Sequence, residues 1–173
     1  MENIKIILWG IGTMGTLMAK ILAGKEGVEL VGTLDSSPGK AGRPLSEITG
    51  ISGHEKIHVS RNAEDVLSQD AGIVLLAVSS FIGETLEPVK KIIQSGKNVI
   101  TIAEEWAYPW LTAPKESGEI DALAKSRGVT VLGTGVNPGF VLDTLIIALS
   151  GTCSSVRKIS AKRINDLSPF GPT

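Results

Sequence analysis

The sequence lacks the features that mark secreted, membrane-spanning and nucleic-acid-binding proteins. Its 173 residues include 1 cysteine, so no internal disulfide can form, which suits a reducing compartment. The 17 lysines and arginines are balanced by 18 aspartates and glutamates, and a net charge of −1 gives no general attraction to nucleic acid or to an anionic membrane. The longest uncharged stretches, 71–83 and 128–142, are too short or too rich in glycine and proline to cross a bilayer as a helix.

The N-terminal segment MENIKIILWG also lacks the basic region and the cleavage site of a secretory signal, which predicts a cytoplasmic location. What the sequence does contain is enough apolar material for a core. Hydrophobic residues make up 42% of the chain, and its length fits one domain of ordinary size with room for a small appendage. We therefore expect a soluble globular protein.

Segments rich in Val, Ile and Leu alternate along the chain with segments of helical periodicity. This order is typical of βαβ units, and the apolar segments lack a polar face because helices cover both sides of a parallel sheet. The predicted fold class is α/β, with a Rossmann-type doubly wound parallel sheet. Predicted strands cover residues 4–9, 28–34, 56–59, 72–78, 98–103 and 129–133; predicted helices cover residues 13–23, 62–69, 82–95, 116–127 and 139–150. Local signals agree with these bounds: Asn62 is expected to cap one helix, and Gly96 and Gly128 to follow the ends of two others, whereas residues 35–55 are expected to form a long loop.

The end of the chain differs from the rest. Residues 156–164, VRKISAKRI, have the pattern of one more strand without an evident partner, and a proline-containing segment follows. This arrangement predicts a Rossmann domain over residues 1–150 and the start of a second, truncated α/β domain over residues 151–173. The alternative is a seventh edge strand on the same sheet with a frayed tail.

A glycine-rich turn directly follows the first predicted strand. Gly10, Gly12 and Gly15 fit the pattern G-x-G-x-x-G, with Thr13 and Met14 between the last two glycines. The first glycine permits the tight turn, the second lets the backbone approach a pyrophosphate, and the third lets helix and strand pack closely. The helix start offers unpaired N–H groups to the phosphates. The position between a strand and a helix predicts a dinucleotide site; the alternative is a glycine turn without a ligand.

Asp35 lies at the end of the second predicted strand, 20 residues after Gly15. An acid at this place accepts hydrogen bonds from the adenine-ribose hydroxyls and repels a 2′-phosphate, so by itself it favours NAD over NADP. Lys40 and Arg43 follow in a glycine-containing loop that could bring a cation to a 2′-phosphate. We interpret both as solvated loop charges.

Two further segments are expected to border the cofactor. Small residues, Ala77, Ser79 and Ser80, follow the fourth strand at the sheet edge where ligands bind in open α/β sheets; helix capping by the serines is the alternative. The run after the sixth strand contains Asn137, Pro138 and Gly139. It is expected to lie beside the nicotinamide ring and the substrate, and the alternative is a tight turn without ligand contact.

Two adjacent carboxylates, Glu104 and Glu105, follow the fifth strand and precede an aromatic segment. Side chains of successive residues in an extended segment point to opposite sides, so one of these carboxylates can face the nicotinamide crevice while the other faces solvent. Glu104 is favoured for the crevice because it lies nearer the sheet edge. A carboxylate there can act as a general base, orient a water molecule or hold an ammonium group; the alternative is a loop that carries solvated acids. No metal-ligand spacing surrounds the 2 histidines, and no metal site is predicted.

The segments WGIGTMG, ITIAEEWAYPW and GTGVNPGFVLDTL together resemble the 2,4-diaminopentanoate dehydrogenase family, in the wider group built like dihydrodipicolinate reductase that includes the native amine dehydrogenases. The resemblance spans essentially the whole chain. The family's chains are longer and continue into a substrate and oligomerisation domain. The resemblance therefore implies that this chain is the N-terminal, cofactor-binding part. It also implies that the full-length form is a homo-oligomer, namely a dimer.

The resemblance implies NAD or NADP as the cofactor and a small diamino acid as the substrate. The implied reaction is the reversible oxidative deamination of 2,4-diaminopentanoate to 2-amino-4-oxopentanoate and ammonia, in ornithine degradation. In the amine dehydrogenase relatives a glutamate at the end of this strand handles the amine and the water, and it corresponds to Glu104, with Glu105 as the runner-up. The resemblance further implies that this part alone binds dinucleotide with little turnover.

Other functions on the same scaffold stay open. One is the reduction of a cyclic imine or a semialdehyde, as in dihydrodipicolinate reductase or semialdehyde dehydrogenases. Another is a non-catalytic NAD-binding regulatory module, whose cofactor binding would not depend on Glu104 and which would show no activity.

Overall fold

The computed structural model describes residues 2–166, and the chain divides into two compact units, Met1–Thr134 and Gly135–Thr173. The first unit is an α/β domain around one sheet. All strand pairs in this sheet are parallel, and the strand order is β3-β2-β1-β4-β5-β6. The strands are β1 (Ile4–Trp9), β2 (Val28–Leu34), β3 (Val59–Ser60), β4 (Ile73–Leu76), β5 (Asn98–Thr101) and β6 (Val131–Gly133). The predicted doubly wound parallel sheet is therefore confirmed.

Helices connect successive strands of the first unit. They are α1 (Thr13–Ala23), α2 (Leu45–Thr49), α3 (Ala63–Leu67), α4 (Ile82–Gln94), α5 (Pro109–Thr112) and α6 (Pro114–Arg127). The side chain of Asn62 accepts a hydrogen bond from the N–H of Glu64 at 3.0 Å, as expected of a helix cap. Gly128 ends α6 in the left-handed region, at a φ of +64°, where glycine carries no steric penalty.

Apolar side chains of β1 point alternately to the two faces of the sheet and join two different clusters. Ile7 is buried on one face with Val89 and Ile92 of α4. Ile6 and Leu8 are buried on the other face in a cluster that includes residues of α1 and α2. Because both faces of β1 are covered, its sequence shows no alternation of polar and apolar residues.

Two parts of the first unit differ from the prediction. The loop expected over residues 35–55 contains α2, whose Leu45 is fully buried. The strand expected over residues 56–59 is reduced to β3, since His58 makes an isolated antiparallel bridge with Pro44 and only Val59 and Ser60 pair with β2.

The second unit contains a π-helical segment, Val136–Thr144, and α7 (Leu145–Ser150). Helical backbone is therefore present over residues 140–150, whereas Gly139, the first residue of the predicted helix, is not helical. The strand expected over residues 156–164 was wrong, and so was the alternative of a seventh edge strand, because these residues carry no regular secondary structure. Their apolar pattern fits a strand, but a strand also needs a hydrogen-bonding neighbour, and none pairs with this segment among residues 2–166. The start of a second domain over residues 151–173, of which 167–173 lie outside the described residues, stays a prediction.

Across the same described range, no helix has the length and apolar character needed to cross a membrane.

Candidate dinucleotide-binding and catalytic site

The central strands of the sheet end level with one another. Trp9 is in register with Leu34 of β2 and with Leu76 of β4, and Leu76 is in register with Thr101 of β5. The residues that follow these strands therefore leave the sheet at the same carboxyl edge. The strand order reverses between β1 and β4, and this reversal is where open α/β sheets bind their ligands.

The glycine turn after β1 is packed tightly against the end of β4. Gly10 has a φ of +100°, and a Cβ atom at this position would overlap the carbonyl group of Ala77. A Cβ atom on Gly15 would overlap the carbonyl oxygen of Gly10. Both positions therefore require glycine for steric reasons, and Ala77 directly borders the turn.

Gly12 has a different environment from its two neighbours in the motif. It is exposed, and a Cβ atom built on it would meet nothing within 4 Å. Open space next to bare backbone is what the close approach of a pyrophosphate needs. The three glycines thus fit the fingerprint in structure as well as in sequence.

The start of α1 offers a site of positive potential beside Gly12. No side chain caps this helix and no acidic residue lies in its first turn. The first backbone hydrogen bond is donated by Thr16 to the carbonyl of Gly12 at 2.9 Å, and the amides of Thr13 and Met14 have no acceptor within residues 2–166. Both residues are exposed. Their free N–H groups and the helix dipole suit a phosphate group.

Asp35 is fixed at the end of β2 with its carboxylate towards the glycine turn. The residue is buried, with 8% of its surface exposed. The Oδ2 atom accepts a hydrogen bond from the N–H of Ile11 at 2.7 Å, and Oδ1 accepts one from the N–H of Ser37 at 2.9 Å. This position suits the predicted contact with the adenine ribose, which stays a prediction.

The contacts of Asp35 also determine its protonation. Burial by itself would raise the pKa of this carboxyl group, because it disfavours the charged form. The hydrogen bonds from Ser37 and Ile11, together with the ammonium group of Lys40, outweigh burial, so the pKa lies below its ordinary value of 3.8. Asp35 is thereby held as a carboxylate, which can only accept hydrogen bonds.

The interpretation of Lys40 as a solvated loop charge was wrong. Its Nζ atom lies 3.1 Å from Oδ2 of Asp35 and donates a hydrogen bond to the carbonyl of Ile11 at 2.6 Å. The side chain is 28% exposed. Arg43 does fit that interpretation, since its side chain is half exposed and its one ion pair within residues 2–166 is with Glu47, at 3.3 Å.

The small residues after β4 lie in the segment that connects β4 to α4. Ser79 and Ser80 are both partly buried. The hydroxyl of Ser79 accepts a hydrogen bond from the N–H of Phe81 at 3.3 Å, and the carbonyl of Ser80 accepts one from the N–H of Glu105 at 3.2 Å. Neither serine side chain caps α4, whose N-cap residue is Phe81. The alternative of simple helix capping by these serines is therefore wrong.

Glu104 and Glu105 lie in a short 3-10 turn after β5 rather than in an extended segment. The two carboxylates have different environments. The Oε2 atom of Glu105 accepts a hydrogen bond from the N–H of Ile82 at 2.7 Å and so caps the start of α4. Glu104 is exposed, and its carboxylate has no hydrogen bond or ion pair with any residue from 2 to 166. Of the two, Glu104 is free to bind a ligand.

The turn that carries Glu104 packs closely against buried residues of the domain. Trp106 is buried, and its indole Nε1 donates a hydrogen bond to Oγ1 of Thr85 at 2.7 Å. A Cβ atom on Gly133 would overlap the carbonyl of Trp106, so β6 packs closely under the turn. The position of Glu104 is therefore set by the core and by α4.

The predicted nicotinamide loop belongs to the second unit. Asn137, Pro138 and Gly139 interrupt the π-helical segment with non-helical backbone, and the peptide bond between Asn137 and Pro138 is cis. The N–H of Gly139 donates to Oδ2 of Asp143 at 2.7 Å, and the carbonyl of Gly139 accepts from the hydroxyl of Thr144 at 2.8 Å. Contact of this loop with a cofactor stays a prediction.

Known proteins resemble this chain along nearly its whole length. A 2,4-diaminopentanoate dehydrogenase of Acetoanaerobium sticklandii is 41% identical over 173 residues, which cover 99% of this chain and 49% of the relative. An amine dehydrogenase of Streptomyces virginiae is 25% identical over 170 residues, covering 96% of this chain and 47% of the relative. The chain thus spans about half the length of the curated relatives it matches.

A family model and a solved structure agree with these relatives. The model of the 2,4-diaminopentanoate dehydrogenase C-terminal domain matches residues 140–173. The structure of an amine dehydrogenase from Mycobacterium smegmatis superimposes with a TM-score of 0.84 at 35% identity, over 90% of this chain and 46% of that chain. The resemblance predicted from the three sequence segments is confirmed. The predicted domain boundary at residue 150 stays a prediction.

Proposed function

We propose that this chain binds NAD or NADP and serves in the reversible oxidative deamination of 2,4-diaminopentanoate to 2-amino-4-oxopentanoate and ammonia, in ornithine degradation. The proposal is supported by the 41% identity to a 2,4-diaminopentanoate dehydrogenase. The observation that carries it is the carboxylate of Glu104, which is exposed and has no partner among residues 2–166, at the same sheet edge as the glycine turn.

The cofactor would be held by residues after three strands. Gly12 and the amides of Thr13 and Met14 suit the pyrophosphate, and Asp35 suits the adenine ribose. The small residues after β4 would border the part of the dinucleotide between the pyrophosphate and the nicotinamide ring; they are Ala77, Ser79 and Ser80. When bound, the nicotinamide ring supplies the acceptor for a hydride at its C4 atom.

Glu104 would act on the amine. Its carboxylate can pair with the substrate ammonium, take a proton from it and then orient the water that hydrolyses the imine. In this reaction the amine carbon loses a hydride, the imine takes up water, and the carbon–nitrogen bond breaks to leave a ketone and ammonia. Glu105 would not take part directly, because its carboxylate is engaged by the N–H of Ile82.

A chimera tests the proposed reaction. In it, these 173 residues replace the matching part of the Acetoanaerobium sticklandii enzyme, and the reduction of NAD or NADP by 2,4-diaminopentanoate is followed by absorbance. We expect the chimera to be active and Glu104→Gln to lower kcat by about 100-fold or more, a typical contribution of a general base. Glu105→Gln is the matched control, and it should retain most of the activity.

The outcomes separate the proposal from its rivals. Loss of activity in Glu105→Gln with full activity in Glu104→Gln would reverse the two assignments. A chimera that ignores the diamine but reduces dihydrodipicolinate or aspartate semialdehyde would place the chain with the reductases instead.

A further inference from the structure

A cleft between α3 and α4 lies apart from the residues proposed to bind the dinucleotide. Both helices pack on the same face of the sheet, where Val66 of α3 and Val89 of α4 belong to one buried cluster. The cleft between the helices has a volume of about 1040 Å³, which is the size of a small-molecule site. Its lining within residues 2–166 includes neither Glu104 nor any residue assigned above to the cofactor.

The charged residues that line this cleft are mainly cations. They are Arg61, Lys91 and Lys97, and the one acid among the lining residues from 2 to 166 is Glu64. None of the three cations has an ion pair or a side-chain hydrogen bond with any residue in that range. Positive charge concentrated in a cleft raises the local concentration of anions.

Lys97 differs from the other two cations because it is buried. Only 8% of its surface is exposed, whereas Arg61 and Lys91 are exposed. Its aliphatic stem is therefore covered by the protein, and its ammonium group reaches the cleft. Burying a charge without a partner is unfavourable, because it removes the water that stabilises the charge. An anion in the cleft would supply the missing partner through charge-assisted hydrogen bonds.

The end of α4 does not use the Lys97 side chain as a cap. Lysine side chains near a helix end can bind its last carbonyl groups. Here the carbonyl of Ile92 accepts the backbone N–H of Lys97 at 3.3 Å, and that of Ile93 accepts the N–H of Gly96 at 2.9 Å. The backbone itself thus closes this helix, and the ammonium group of Lys97 stays available.

Asp70 is the acid on which Lys97 acts electrostatically, but it is paired elsewhere. Its Oδ2 atom accepts a hydrogen bond from Nζ of Lys5 at 2.5 Å. This hydrogen bond lowers the pKa of Asp70 below its ordinary value of 3.8, and the charge of Lys97 makes a smaller contribution in the same direction. Lys97 therefore lies near Asp70 without forming an ion pair with it.

The three cations are spread along the cleft rather than gathered at one point. Arg61 directly follows β3, and Lys97 directly precedes β5. Because the strands are parallel, these two positions lie at opposite edges of the sheet. Lys91 lies in the last turn of α4. Charges placed in this way suit an elongated ligand with more than one anionic group.

We propose that the cleft between α3 and α4 is a second ligand site, which binds a small anion carrying two or more phosphate or carboxylate groups, with Lys97 as its main contact. Glu64 is exposed near Arg61 and repels an anion at that end, so Lys91 is the second contact. The site goes beyond the proposed function and does not depend on it.

Calorimetric titration of the 173-residue chain with pyrophosphate and with citrate tests the proposal and distinguishes the two kinds of anionic group. The variants are Lys97→Met, which keeps the apolar stem and removes the charge, and Lys91→Gln. We expect wild type to bind at least one of the two anions and Lys97→Met to raise its Kd about tenfold or more, as for the loss of a charge-assisted hydrogen bond. Lys91→Gln should raise the same Kd by a smaller factor.

Lys25 provides a matched control for the general effect of charge. It is exposed, has no ion pair within residues 2–166, and follows α1, which packs on the other face of the sheet. Lys25→Gln removes the same charge from the chain and should change the Kd less than about twofold, since it lies outside the cleft.

A second control separates the cleft from the glycine turn, which can also attract pyrophosphate. A Cβ atom at Gly12 meets nothing within 4 Å, so Gly12→Asp is accommodated and places a carboxylate where a phosphate would bind. Binding of the anion should persist in Gly12→Asp and should still depend on Lys97. A parallel titration with NAD reports on the proposed function separately.

Thermal unfolding provides a readout that a structural role of Lys97 would reverse. Without an anion, Lys97→Met should unfold at the wild-type temperature or above it, because it replaces a buried charge that has no partner. The bound anion should raise the unfolding temperature of wild type but not that of Lys97→Met.

Three results would overturn the inference. Wild type could bind neither anion at millimolar concentration, Lys97→Met could bind as tightly as wild type, or Lys25→Gln could weaken binding as much as Lys97→Met. Each result leaves the proposed function standing, because that function fails only if NAD and NADP do not bind or the reaction is not catalysed.

Discussion

At the scale of single residues, the contacts of Asp35 link the fold to the site. The same carboxylate that suits a ribose also receives hydrogen bonds from Ile11 in the glycine turn and from Ser37 in the following loop. Charge on Asp35 therefore stabilises the arrangement of three chain segments even without a ligand. This stabilisation depends on pH in a definite direction.

Because the pKa of Asp35 is lower in the folded chain than its ordinary value of 3.8, folding is favoured by its ionised form. Its contribution to the free energy of unfolding is complete above pH 3.8 and is lost as the pH falls through the lower folded pKa. We expect wild type to be more stable than Asp35→Asn at neutral pH, and the difference to shrink below pH 3.8. Urea unfolding of both proteins over this range measures it. A difference that stays constant down to low pH would show that the charge of Asp35 contributes nothing.

Residue identities in the sequence predicted Asp35 as a site residue, but they did not predict its pairing with Lys40. The acid follows from its spacing to Gly15. The lysine lies five residues away in an irregular loop, and its contacts depend on the turns between Ser37 and Arg43. Such turns have no periodicity that a sequence pattern could reveal.

At the scale of secondary-structure elements, the start of α4 connects two strands of the site. Its N-cap residue, Phe81, has no side chain that can accept a hydrogen bond. Glu105 supplies the missing acceptor from the turn after β5. The residues after β4 and the turn that carries Glu104 are thereby held together.

This capping contact predicts opposite results for the two neighbouring glutamates. Glu105→Ala should lower the free energy of unfolding by about 1 kcal/mol, as for the loss of a helix cap. Glu104→Ala should change it by less than about 0.5 kcal/mol, because the side chain is exposed and has no partner within residues 2–166. Chemical denaturation of the two variants provides the comparison. Equal destabilisation by both substitutions would contradict the division of roles between Glu104 and Glu105.

The sequence could place both glutamates at a sheet edge, but it could not separate them by contact. The hydrogen bond from Ile82 to Glu105 spans 23 residues. Its one local sign was the lack of a capping residue at Phe81. The apolar pattern also gave a wrong prediction at residues 156–164. These residues resemble a strand in sequence, but no strand within residues 2–166 pairs with them.

At the scale of the whole molecule, the fold of the first unit follows closely from its apolar pattern. The continuous apolar run at residues 6–9 predicted helices on both faces of the sheet, and both faces of β1 are covered. The glycine fingerprint predicts that the ligand binds at the carboxyl edge of this sheet. The sequence pattern did not predict the division of the chain between Thr134 and Gly135, because the predicted helix over 139–150 gave no sign of a boundary.

The proposed function requires that the chain binds a dinucleotide and that Glu104, the proposed catalytic residue, is separate from the cofactor contacts. The most direct test is a calorimetric titration of wild type with NAD and with NADP, and of Asp35→Ala and Glu104→Gln with NAD. We expect wild type to bind, Asp35→Ala to weaken binding about tenfold or more, and Glu104→Gln to bind within about threefold of wild type. If wild type binds neither NAD nor NADP even at millimolar nucleotide, or if both variants lose affinity equally, this division between cofactor contacts and Glu104 is contradicted.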